Sequence, residues 1–155
     1  MPSLQGGKCK GGAMNKKELL KELIAAERAE PTQRITCPGD IYPVLAKYAK
    51  SPVEKMFATS LDGAHNIIHT HNISVGLLNR CLVHPREVFN PLVKDRAAAF
   101  ILAHNHPSGN LELSDEDYQI VDRFKKAGEV MGIPMLDNIV FSTEGYHSSL
   151  EEGEL

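Results

Sequence analysis

The run Ala99-Phe-Ile-Leu-Ala-His-Asn-His-Pro-Ser-Gly-Asn-Leu-Glu-Leu-Ser-Asp-Glu-Asp117 restricts this chain more than any other stretch. Ala98–Ala103 has no polar alternation, which is the pattern of a strand covered on both faces. That strand ends in two histidines. Residues i and i+2 of an extended segment point to the same side, so His104 and His106 can face one point while Asn105 faces away. Pro107-Ser108-Gly109 reverses the chain, and Ser114 opens a helix with Asp117 in its first turn. The helix start then returns toward the histidines. His104, His106 and Asp117 are all zinc-type ligands, and three protein ligands leave a fourth position for water, the open arrangement of catalytic sites.

The rest of the chain supplies a frame. At 155 residues there is room for one domain with a real core, and 42% apolar and 24% charged residues are ordinary globular values. No apolar run nears the roughly 18–20 residues of a membrane helix, and the N-terminus lacks a signal-peptide core. Cys9, Cys37 and Cys81 are odd in number and widely spaced, which fits reduced thiols and a cytoplasmic location. Residues 1–34 carry a charge balance of +3 and residues 35–155 one of −6. An acidic body does not support direct nucleic-acid binding.

Residues 1–13 are rich in Gly and Lys and read as a disordered or vector-derived tail; a helix is expected over 14–34, with Leu19, Leu20, Leu23 and Ile24 as its stripe and Pro31 as its stop. That short stripe must lie on the body or on a partner chain, leaving a homo-oligomer open. A second helix follows Asp40 through Ile41, Val44, Leu45 and Tyr48. Val53–Leu61 reads as a strand, Asp62-Gly63 as a turn, and Ala64–Val75 as the return. Another short strand is expected near Cys81–Val83. His84-Pro85-Arg86-Glu87 then enters a helix with Val88, Phe89, Leu92 and Val93 on one face, and Pro91 either kinks it or shifts its start. The helix from Ser114 carries Ile120, Val121, Phe124, Ala127 and Met131, and Gly132 and Pro134 close it. Ile133–Phe141 and Tyr146–Leu150 complete the strands. The intermixing gives an α/β class, mixed and α+β-like, with a central sheet.

Each half of the central motif has an ordinary explanation. Paired histidines on a strand face are often simple packing or surface; His69-Thr70-His71 repeats the spacing with no aspartate turn after it and reads as a strand-surface feature. Ser114-x-x-Asp117 alone is a helix-capping signature. Their conjunction across one turn raises the hydrolase reading.

His-x-His, seven residues, Ser, two residues, Asp resembles the motif of JAMM (MPN/JAB) metalloproteases at His104, His106, Ser114 and Asp117. Ala103-His-Asn-His-Pro-Ser-Gly, His84-Pro-Arg-Glu-Val-Phe and Leu136-Asp-Asn-Ile-Val resemble the RadC branch, from about Ile35 to Leu150. The resemblance implies a JAB/MPN fold over 35–155, a central mixed β-sheet flanked by helices, akin to cytidine deaminases. It also implies one Zn2+ per chain held by His104, His106 and Asp117. Glu54 matches the family's general base and Ser114 its oxyanion donor; Glu87 is the competing base. Two positions depart from the pattern: Leu113 stands where the family usually has Pro, and Asn138 where RadC-like chains usually have His. Residues 1–34 are too short for the helix-hairpin-helix module of longer RadC-like proteins, so a stand-alone domain or a fragment is expected.

A deaminase would need His-x-Glu and Pro-Cys-x-x-Cys, and a common zinc protease His-Glu-x-x-His; the chain has neither. The leading expectation is zinc hydrolysis of an amide, peptide or isopeptide bond in a protein or peptide substrate. The alternative is a non-enzymatic or vestigial metal-binding accessory in DNA repair or recombination. A nuclease ranks below both, with one ion and no basic groove.

Overall fold

The structure, a computed structural model, describes residues 33–75 and 83–155. A 3-10 turn at Pro38–Asp40 leads into α1 (Tyr42–Ala46), β1 (Lys55–Leu61) and β2 (Ile67–Val75). α2 (Pro85–Lys94), β3 (Ala99–Asn105), α3 (Asp115–Met131), β4 (Met135–Phe141) and β5 (Tyr146–Ser148) follow. The strands form one sheet in the order β2-β1-β3-β4-β5. β3 and β4 are parallel and the other neighbours antiparallel, so the sheet is mixed and the class α/β, as expected. A parallel pair needs a long crossover, and the 17-residue α3 supplies it.

β3 is buried along its whole length, as its unbroken apolar run requires. Period-2 alternation divides the core. Met56, Ala58, Phe100 and Leu102 face α2 and α3, where they meet Val88, Phe89, Leu92, Ile120, Val121 and Phe124. Phe57, Leu61, Ile101, Ala103, Ile139 and Phe141 face the other way, against Ile35, Ile41 and Leu45. Each of the fully buried phenylalanines (57, 100, 124 and 141) contributes roughly 1.5–3 kcal/mol by leaving water.

Several boundaries differ from expectation, each for a local reason. α1 is short: beyond Ala46 the bonds tighten to Tyr48 N–H→Leu45 and Ala49 N–H→Ala46, the three-residue spacing of a fraying end. β1 begins at Lys55 rather than Val53, because the buried Asn105 side chain replaces the ladder there. Its Oδ1 accepts from the Lys55 N–H at 2.7 Å, and its Nδ2 donates to the Val53 carbonyl at 3.1 Å. Asp62 Oδ1 takes the N–H groups of Ala64 and Asn66, so the return strand starts at Ile67. α2 starts at Pro85 with His84 as N-cap and carries Pro91 within it. Val93 is exposed rather than on the apolar face, as is Met131 of α3. The buried stripe of α3 ends instead at Gly128, which is packed tightly against Ile133 and Phe100. Gly132, at φ 69°, ends the helix in the left-handed conformation glycine favours. The tail over 1–13, almost all of the helix expected over 14–34, and the strand expected near Cys81 lie outside the described residues; Arg34 is extended and bridged to Asn66.

No helix among the described residues is long and apolar enough to cross a membrane.

Candidate metal centre

β3 ends where α3 begins, and the cluster forms in that crevice, the usual ligand position at the carboxyl end of strands in open α/β sheets. His104 is in β3 and paired across to Met56 and Val140. His106 lies one residue past the strand but stays extended, because its N–H donates to Phe141 O at 2.9 Å. His106 Nδ1 lies 2.5 Å from Asn110 O. A carbonyl only accepts, so Nδ1 carries a hydrogen, and in the neutral ring that leaves the Nε2 lone pair to serve as a ligand.

Asp117 arrives from the first turn of α3, where the helix dipole favours a negative charge. Ser114 caps the helix, accepting from the Asp117 N–H at 3.2 Å. Asp117 Oδ2 in turn accepts from the Ser114 hydroxyl at 2.7 Å and from its N–H at 2.8 Å. The carboxylate therefore has one oxygen locked by the cap, and its orientation is set by the same box that starts the helix.

His104 Nε2 stands 3.0 Å from His106 Nε2 and 3.3 Å from Asp117 Oδ1, and His106 Nε2 stands 3.9 Å from Asp117 Oδ2. All three residues are buried. Donors about 2.0–2.1 Å from a common ion at tetrahedral angles stand about 3.3 Å apart; the separations of His104 Nε2 from His106 Nε2 and Asp117 Oδ1 lie near that edge, and His106 faces the other carboxylate oxygen. Two imidazole nitrogens and a carboxylate converging out of water are reconciled by a cation, so these residues fit a divalent metal with one coordination position left over.

The remaining expected residues fall as follows. Glu54 is half-buried and immediately precedes β1, two residues before Met56, the strand partner of His104. Asn105, pointing to the opposite face, clamps the residues on either side of Glu54; no sequence pattern marked it for that part, although its place between the two histidines could have. Glu87 is exposed and paired with Arg86 Nε at 3.2 Å. Leu113 packs half-buried against the α2/α3 core. Asn138 is buried in β4; its side-chain Nδ2 donates to Ser149 Oγ at 3.2 Å, and its backbone carbonyl accepts from the Ser149 N–H at 3.0 Å. The neighbouring Asp137 is pushed up by burial, against the pull of bonds from Ser148, Leu150 and Asn138.

The fold and the cluster together define a JAB-type domain with a candidate metal site. A sequence model of the RadC-like JAB domain matches residues 35–155. A UPF0758 protein of Trichlorobacter lovleyi is 37% identical over 150 residues, 96% of this chain and 65% of that protein. One from Methanospirillum hungatei is 44% identical over 119 residues, covering 76% and 52% of the two chains. One from Rubrobacter xylanophilus is 41% identical over 140 residues, covering 89% and 60%. The chain belongs to the RadC-like JAB domain family. It spans about half to two thirds of the length of these curated relatives.

Proposed function

We propose that the domain is a zinc-dependent hydrolase that cleaves an amide, peptide or isopeptide bond in a protein or peptide substrate. The observation that carries this reading is the buried convergence of His104, His106 and Asp117, three ligand-type residues among the described ones. A structural zinc is ordinarily closed by a fourth side chain. Zn2+ bound there would supply a water of lowered pKa and an electrophile for the scissile carbonyl.

The chain's own residues then divide the work. Glu54 takes the proton of the attacking water and returns it to the leaving nitrogen. Asn105 is the positioning residue for Glu54, through its two bonds to the flanking backbone. Ser114 is first a positioning residue for Asp117. Its hydroxyl proton is engaged by Oδ2, so contact with an oxyanion requires that proton to turn away from the carboxylate. Glu87, paired with Arg86 in solvent, suits the base role less well.

The test joins metal analysis to turnover of peptide and isopeptide substrates. His104→Ala should lose the ion held at this site, and Glu54→Gln should keep it while losing at least about 100-fold in rate. Equal turnover by Glu54→Gln and the wild type would remove Glu54 from the base role. Equal turnover by His104→Ala and the wild type would end the metal-hydrolase reading.

A further inference from the structure

The chain contains a second convergence of the same donor types. His69 and His71 lie two residues apart on β2, opposite Ser60 and Ala58 of β1, so both rings rise on the sheet face that α2 covers. Asp95, the residue that ends α2, comes down between them. Its Oδ1 is 3.0 Å from His69 Nδ1 and its Oδ2 is 2.6 Å from His71 Nε2. One ligand atom from each of the three residues lies within 4.8 Å of the others. The aspartate turn missing from the sequence after His71 is replaced by an acid 24 residues away.

We infer that His69, His71 and Asp95 form a second metal site, for a divalent late first-row transition ion of the Zn2+ type. Three observations support it. First, one carboxylate addresses both rings, with Oδ1 toward His69 Nδ1 and Oδ2 toward His71 Nε2. Second, the carboxylate is held by more than the histidines, since the fully buried Ser60 donates its hydroxyl to Oδ2 at 2.6 Å. Third, this arrangement repeats the first centre: His-x-His on a strand, an aspartate from a helix end, and a serine hydroxyl fixing that aspartate. Imidazole and carboxylate donors suit zinc and its neighbours.

The two sites are separate. His71 is level with Ala58, and Ala58 with Leu102, two residues short of His104. At ordinary strand spacing that sets the two histidines about 12 Å apart by Cα, whereas paired catalytic ions lie about 3.5–4 Å apart. The second centre is also more open, with His69 64% exposed against 4% for the His104 side chain. An ion there ties the edge strand β2 to the end of α2. It stabilises the sheet and takes no part in the chemistry at His104.

The inference is independent of the hydrolase reading, and zinc stoichiometry separates them. After equilibrium dialysis against ZnCl2, the wild type should hold two equivalents, one more than the first centre alone provides. The double variant His69→Ala/His71→Ala should hold one. Removing His104 and His106 should leave one equivalent, still lost on further Asp95→Asn substitution. In that His104/His106-deficient background, zinc at about a hundred times its Kd should raise Tm by about 5–10 °C. Equal zinc uptake by the wild type and the folded His69→Ala/His71→Ala protein overturns the inference. A difference of one equivalent between those two supports it even if the first centre binds nothing.

Discussion

Ser114→Ala removes two of the three bonds that join the cap of α3 to Asp117 of the candidate metal site. The Asp117 N–H loses its acceptor and Asp117 Oδ2 loses a hydroxyl donor, while the bond from the Ser114 N–H to Oδ2 remains. Loss of a serine N-cap costs about 1 kcal/mol, and loss of a bond to a buried carboxylate about 1.5–3 kcal/mol. The sum is about 2.5–4 kcal/mol, because Asp117 is almost wholly out of water and solvent cannot replace the donor. Urea unfolding of metal-free protein should therefore show a lower midpoint with an unchanged slope. The same substitution frees a rotation of the carboxylate, and losses of this kind cost about 10–100-fold in metal affinity; a zinc competition titration measures it. Ser114→Thr keeps the hydroxyl and should restore both. If Ser114→Ala unfolds within about 0.5 kcal/mol of the wild type and binds zinc equally well, the cap does not hold the ligand and the proposed link between helix start and site is wrong.

Two further outcomes follow from local geometry. Gly128→Ala should destabilise by about 1–3 kcal/mol, although alanine is the better helix former by about 1 kcal/mol. The new Cβ would sit 2.6 Å from Ile133 O and 3.3 Å from Phe100, and the nearer obstacle is backbone; a rise in Tm would refute this. Asp40 is held down to about 2 by bonds from the Thr36 hydroxyl and N–H and the Cys37 N–H. A depressed folded pKa contributes stability above the unfolded value near 4, and that contribution fades as pH falls toward 2. Asp40→Asn should therefore melt below the wild type at pH 7 and converge with it between pH 4 and 2. A gap that persists unchanged at pH 2 would mean the carboxylate charge is not what matters.

The alternation and apolar runs were enough to read the mixed α/β class, the buried β3 and the start and stop of α3. These depend on periods of 2 and 3.6 and on cap residues within three or four positions of each other. Residues whose roles come from distant partners were not legible in this way. Asn105 looked like a spacer between the two histidines, yet its amide makes β1 start two residues late and grips the backbone around Glu54. Val93 and Met131 fit an apolar stripe on paper, yet both side chains are exposed.

The two histidine pairs mark the division most clearly. By itself the sequence pointed to the first cluster, because His104, His106 and Asp117 lie within thirteen positions joined by one turn, and strand phase and helix capping fix their directions locally. The second pair had an identical spacing and no acid in reach. Only the packing of α2 across β1 and β2 brought Asp95 to it, with Ser60 fixing the carboxylate from a third segment. A contact closed by chain connectivity is written in the local pattern; one closed by the docking of a helix on a sheet depends on the whole core and appears only in the folded chain.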